Sequence, residues 1–144
     1  MTENDMVMDC YDKLRIQENI KEVVLEVPYL SRCIDMVLVD NLCKIITIEF
    51  KLKNWRKALE QAKDHSLGSD RAYICIPKPK RISDKLVEES RKIGIGILFY
   101  DSKSKNPIEE FMKPTIKRNK WNPRVVSLKI KINKISGKEV FNLS

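Results

Sequence analysis

Residues 44–53, K-I-I-T-I-E-F-K-L-K, alternate with a period of two, and the strand they predict has two faces of different kind. Ile46, Ile48, Phe50 and Leu52 form an unbroken apolar face that a packing layer must cover. The other face runs Ile45, Thr47, Glu49, Lys51 and Lys53, so it begins as core and ends with a carboxylate beside an ammonium. At about 3.3 Å of rise per residue, Glu49 and Lys51 stand roughly 6.6 Å apart, close enough to share one bound phosphate.

The flanking pattern predicts the rest of the sheet. Val7, Cys10 or Tyr11, and Leu14 recur at helical spacing over residues 3–17, with Thr2 or Asn4 as cap. Residues 22–28 alternate imperfectly and read as a strand ended by Pro28. A second strand spans residues 33–39 and carries one charge, Asp35, which needs a partner because an unpaired buried carboxylate is very costly. Asp40-Asn41 marks the turn into the opening strand. The register of this hairpin decides where Asp35 falls, since residues directly opposite share a face. A two-residue loop at Asp40-Asn41 sets Asp35 opposite Ile46, away from Glu49. A three-residue loop, Asn41-Leu42-Cys43, sets it opposite Glu49.

Asn54 caps a helix predicted from Trp55 to about Leu67, with Gly68 as its stop. Trp55, Leu59 and Ala62 face the sheet, and Gln61 and His65, four residues apart, project together from the flank beside that stripe. Residues 71–76 form a short buried strand closed by Pro77, Ser83 caps a helix running to Lys92, and residues 94–100 return as a strand. Residues 125–132, V-V-S-L-K-I-K-I, read as an edge strand with Lys129 and Lys131 on its exposed face. A hairpin followed by alternating helices and strands predicts an α/β fold, a mixed central β-sheet flanked by helices on both faces.

A chain of 144 residues is expected to form one domain with a core that needs no disulfide or metal staple. It contains no apolar run long enough to span a membrane, and its acidic start does not read as a signal peptide, so the expected location is cytoplasmic. Cys10, Cys33, Cys43 and Cys75 lack C-x-x-C spacing and lie mostly in apolar runs, as reduced core thiols would. The net charge of +8 is unevenly placed. Residues 111–138 hold nine Lys or Arg and no acid, whereas the remainder is close to balance. This divides the chain into a core, residues 1–110, and a basic extension, residues 111–144, packed on or appended to it and suited to attract phosphate. A solubilising tail is the bland alternative.

In chain order the candidates are an acid on the first helix, Asp35 on a hairpin strand, Glu49-Phe50-Lys51 on the next strand, and Gln61 on the helix after it. This constellation resembles the PD-(D/E)xK nuclease superfamily, whose restriction-endonuclease-like core runs α-β-β-β-α-β-α-β, over about residues 2–101. The resemblance implies hydrolysis of DNA phosphodiester bonds with Mg²⁺ as cofactor, for which Mn²⁺ can substitute. It makes Asp35 and Glu49 metal ligands and Lys51 the catalytic lysine, with Gln61 assisting. The helix acid is Glu3, Asp9 or Glu18, with Glu3 the candidate third metal ligand, and Glu26 is a further acid on the first strand. Residues 61–65, Q-A-K-D-H, resemble the Q-x-x-x-Y helix motif of the recombination-exonuclease branch, with His65 where tyrosine is usual. Cys33-Ile34 precede Asp35 where the family often has proline.

Two converging carboxylates repel, and a hard cation relieves the repulsion while keeping water in its shell. Lys51 can orient that water or stabilise charge on the phosphate. DNA is the implied partner, contacted by Lys53, Lys117, Arg118, Lys120 and Arg124, and a homodimer suits an enzyme that cuts both strands. Trp121 can stack on a base or pack on the body. A non-catalytic nucleic-acid-binding or assembly module with the same fold is the alternative, and a protein-interaction domain with an acidic partner is a third.

Overall fold

A computed structural model describes residues 1–29, 32–116 and 122–143. Its elements are α1 (Glu3–Leu14), β1 (Ile20–Tyr29), β2 (Arg32–Asp40), β3 (Ile45–Phe50), α2 (Trp55–His65), β4 (Arg71–Pro77), α3 (Asp84–Ile93), β5 (Gly96–Tyr100), β6 (Ile108–Met112) and α4 (Asn122–Ser136). Up to β5 this is the α-β-β-β-α-β-α-β order expected of a restriction-endonuclease-like core. The six strands lie in sequence order in one mixed sheet. β1, β2 and β3 are antiparallel, β3, β4 and β5 are parallel, and β6 returns antiparallel at the edge.

The period-two pattern of β3 explains its central place. Ile48 and Phe50, with Met36 and Cys75 beside them, are buried under Met6 and Cys10 of α1. α1 itself starts at Thr2, whose hydroxyl accepts from the Asp5 amide while the Asp5 carboxylate accepts from the Thr2 amide. The other face is covered too: Ile45, Thr47 and Glu49 are all at or below 1% exposure. α2 and α3 cover Ala72, Ile74, Ile97 and Phe99 there, through Ala58, Leu59, Ala62 and Leu86. The mixed polarity of residues 45–49 thus hides a strand that is core on both sides.

Three sequence expectations are corrected. Residues 125–132 are helical, part of α4, not an edge strand. Val125, Leu128 and Ile132, three and four residues apart, are buried, and Leu128 and Ile132 pack on Val24, Val27 and Val37 together with Val140 and Phe141. Ile130, which a strand would place beside Leu128 and Ile132, is 51% exposed. The strand that follows β5 at the edge is β6, in which the adjacent Glu109 and Glu110 interrupt the alternation, and it crosses residue 110. The last core strand begins at Gly96 and not at Gly94, because Gly94 ends α3 in a left-handed conformation (φ 74°). Of the four thiols, all free, Cys10 and Cys75 are buried but Cys33 and Cys43 are exposed. Among the described residues no helix is long and apolar enough to cross a membrane.

Candidate active site

The β2–β3 hairpin has the three-residue loop. Pairs run from Val39↔Ile45 to Met36↔Ile48, and the Asp40 amide donates to the Lys44 carbonyl at 3.1 Å, leaving Asn41, Leu42 and Cys43 between them. The Asp40 carboxylate accepts from the Leu42 and Lys44 amides at 2.9 Å, and Cys43 takes up the left-handed position (φ 59°) that such loops require. The same register brings Asp35 opposite Glu49, one step beyond the last ladder pair. There the Asp35 carboxylate replaces the ladder and accepts from the Phe50 amide at 2.8 Å. The two carboxyls lie close enough there for each to act on the other's ionisation.

Glu26 would complete this row on β1, between the pairs Leu25↔Met36 and Val27↔Ile34. It is instead left-handed (φ 52°) and exposed. The twist reverses the parity of β1, so that Val24 and Val27 both face α4. Among the helix acids, Asp9 is engaged elsewhere, accepting from the Tyr100 hydroxyl at 2.5 Å, and Glu18 lies beyond the end of α1. Glu3, half-buried in the first turn, is near enough to Asp35 for its charge to favour the protonated form of Asp35.

Glu49 has a partner that the sequence did not reveal. His65 Nδ1 lies 2.5 Å from Glu49 Oε1, and both residues are 1% exposed. His65 is not on the flank of α2. With Ala58 and Ala62 it forms the buried stripe, and its ring meets the edge of Tyr29 at 6.0 Å between centroids. Gln61, half-buried, stands one turn before it. Asn54 caps α2 by accepting from the Lys57 amide, as its sequence position predicts.

Electrostatics at the site follow from crowding. Burial, then the neighbouring Glu49 charge, pushes Asp35 up to about 7. Burial pushes Glu49 up to about 8, against the pull of its contacts with Asp35 and of the Lys51 and Arg32 charges. Burial lowers His65, opposed by the Asp64 and Asp35 charges. The three directions agree on a neutral pair in which the Glu49 carboxyl donates to His65 Nδ1. If Glu49 ionises, the same contact survives with Nδ1–H donating. Half-buried Lys51 follows β3, its amide held by the Cys75 carbonyl at 3.1 Å. Arg32, just ahead of the strand expected over residues 33–39, opens β2 and acts on both Glu49 and His65. A basic residue two or three positions ahead of a strand carboxylate is the signal that could have found it.

Of the residues expected to contact DNA, Lys53 is exposed beside Lys51 and Arg124 lies in the first turn of α4, whereas Lys117, Arg118, Lys120 and Trp121 lie outside the described residues. Lys129 and Lys131 are half-buried against rings, 5.1 Å from the centre of Phe141 and 5.6 Å from that of Tyr29.

No family model matches the chain, and no curated protein sequence matches it. A protein of unknown function from Silicibacter pomeroyi has a similar structure, with a TM-score of 0.67 and 16% identity over 95% of this chain and 88% of its own. The two share a fold. A repair endonuclease from Pyrococcus abyssi matches 67% of this chain at a TM-score of 0.49 and 18% identity, and the match spans 46% of the endonuclease. SfsA from Pyrococcus furiosus, solved in complex with Ca²⁺, matches 80% of this chain and 62% of its own at a TM-score of 0.41 and 14% identity.

Proposed function

We propose that the chain is a metal-dependent nuclease of the PD-(D/E)xK type that hydrolyses DNA phosphodiester bonds. One observation carries this reading: the β2–β3 register sets the Asp35 and Glu49 carboxyls against each other across adjacent strands, and Glu49 stands two residues before Lys51. Their donor set fits a hard divalent cation. Burial and mutual proximity oppose two negative charges here, and a cation between them removes that opposition. Among the described residues no group of three or more His, Cys, Asp or Glu is arranged to enclose a metal. Two carboxylates that leave the remaining positions to water and phosphate oxygens suit Mg²⁺, or Mn²⁺ in its place, better than a metal that demands an all-protein cage.

Bound there, Mg²⁺ would supply a Lewis acid for a phosphate oxygen and a more acidic water. The chain does the rest by position. The Phe50 amide fixes Asp35 and His65 fixes Glu49, so neither carboxylate must reorganise as charge develops. Lys51 holds its ammonium beside Glu49, where it can orient the attacking water or stabilise charge on the phosphate. Gln61 offers a neutral donor for a phosphate oxygen without adding charge. His65 spends its Nδ1 on Glu49 and acts by positioning it.

The test is Mg²⁺- or Mn²⁺-dependent cleavage of several DNA forms by the wild type, Glu49→Gln and Lys51→Ala. Cleavage by the wild type that both substitutions abolish is the expected result, and cleavage that survives both would remove the assignment. A non-catalytic nucleic-acid-binding or assembly module is favoured by one feature, the 1% exposure of Glu49. Salt-sensitive DNA binding with no cleavage in either metal would establish it instead.

A further inference from the structure

We infer that the edge of the sheet formed by the C-terminal ends of β3, β4 and β5 is a track for the phosphate backbone of duplex nucleic acid, read without regard to sequence. The choice of ligand rests on the nuclease reading; the track itself rests on charge and topology. The Lys51 amide donates to the Cys75 carbonyl at 3.1 Å and the Lys78 amide to the Tyr100 carbonyl at 2.8 Å, so the loops that follow the three parallel strands leave the sheet side by side. These loops, residues 51–54, 78–83 and 101–107, contain seven basic residues and one acid, Asp101. The opposite edge, at residues 40–44, 66–71 and 94–95, balances Asp40 and Asp70 against Lys44 and Arg71. The sheet is therefore electrically polar from end to end, and its positive end is the one on which Asp35, Glu49 and Lys51 open.

The cations are available to a ligand. Lys53, Lys80, Arg81, Lys103 and Lys105 are exposed, and none has an ion pair among the described residues. Lys78 alone is paired, with Glu109 at 2.9 Å. The Asp101 carboxylate accepts from the Lys103 amide at 3.0 Å, and its charge also acts on Lys78. A crevice of about 390 Å³ lies along this edge, with Pro77, Lys78, Lys80, Tyr100 and Ser102 in its wall and Asp101 as its one acid.

Strand spacing sets the scale. Three neighbouring strands span roughly 10 Å, long enough for the row to reach more than one phosphate of a backbone strand. None of the three loops carries an aromatic side chain, so they offer no platform for unpaired bases, and exposed cations spread over three loops match the repeating phosphates of a backbone. Lys51 belongs both to this row and to the candidate site, so a backbone lying along the row ends at the carboxylate pair.

The test is equilibrium binding of the full chain to short duplexes of two unrelated sequences, in EDTA, over a range of KCl. Lys80→Gln/Arg81→Gln and Lys103→Gln/Lys105→Gln should each weaken binding about tenfold at low salt and lower the slope of log affinity against log salt by about 1 to 2, equally for both sequences. Lys44→Gln/Arg71→Gln, at the opposite edge, should change neither. A wild type that binds no duplex, or loop variants whose affinity and slope match the wild type, would overturn the track. So would equal losses from the opposite-edge pair. Because no metal is present, binding is read apart from cleavage: an enzyme that cleaves while its loop variants bind normally loses only the track. A chain that shows the slope change but never cleaves loses only the nuclease reading.

Discussion

Raising the pH from about 6.5 to about 8.5 without divalent cation should destabilise the wild type, and most of that loss should vanish in Glu49→Gln. Asp35 is held at about 7 and Glu49 at about 8. In the unfolded chain both ionise near 4. The folded protein therefore keeps protons that the unfolded chain has released, and stability from this source falls from about pH 4 until the folded carboxyls ionise, just above pH 8. His65 has the opposite sign: its lowered pKa gives stability that grows as pH rises to the unfolded value near 6.5 and then stays constant. The window starts there to leave His65 out. Within it the carboxyl pair costs about 2 kcal/mol, at 1.36 kcal/mol per unit of differential ionisation and with Asp35 discounted because solvent reaches it. For a chain of this size that is roughly 4–8 °C in Tm. Thermal melts by circular dichroism, in EDTA at both pH values, compare wild type with Glu49→Gln, and groups common to both proteins cancel. Adding Mg²⁺ to the wild type should raise Tm more at the higher pH, where the pair it binds is ionised. A wild-type Tm that falls no more than that of Glu49→Gln would refute the crowded-pair electrostatics.

Three further outcomes follow from single contacts. His65→Leu removes the group that fixes Glu49 and should weaken Mg²⁺ affinity, read by calorimetry, by about 10–100-fold, while His65→Asn, whose amide can stand where Nδ1–H does, should recover a large part of it. Cys43→Gly relieves a left-handed non-glycine residue in the loop that sets the hairpin register, and should raise stability by about 1 kcal/mol in urea unfolding, whereas Cys43→Val should lower it. Leu128→Ala should cost about 2–4 kcal/mol because Leu128, on α4, is fully buried against Val24, Val27 and Val37, and Ile130→Ala less than about 1 kcal/mol because Ile130 is 51% exposed; equal losses would favour a strand there.

The sheet was legible wherever one periodicity stood alone. β3 and the strands beside it alternate or run apolar over lengths too short for a helix, and Asn54 and Ser83 mark the starts of the helices between them. Residues 125–132 satisfy two periods at once. Leu128, Ile130 and Ile132 alternate as a strand does, while Val125, Leu128 and Ile132 recur as a helix does. β-branched residues tip a local reading toward the strand. What decides the matter is remote in sequence, the apolar surface of Val24, Val27 and Val37 that needs a covering stripe of helical spacing.

The candidate site divides along the same line. Glu49 and Lys51 could be read from one strand, and Asp35 could be tied to them only through the parity of a loop whose two lengths the sequence left open. An even loop would have turned Asp35 away from Glu49. The structure resolves this with Cys43 in a conformation costly for any residue but glycine, which fixes the odd length. His65 was beyond such reasoning, because the sequence gives it no partner. On α2 it continues the spacing of Ala58 and Ala62, which identifies a buried residue, yet the carboxyl it meets belongs to a strand sixteen residues earlier. A buried imidazole must find a partner, and the one buried carboxyl across from it is the group whose charge the fold otherwise resists. The site therefore joins a strand-borne motif, legible locally, to a helix-borne support that only the packing of α2 on β3 brings into place.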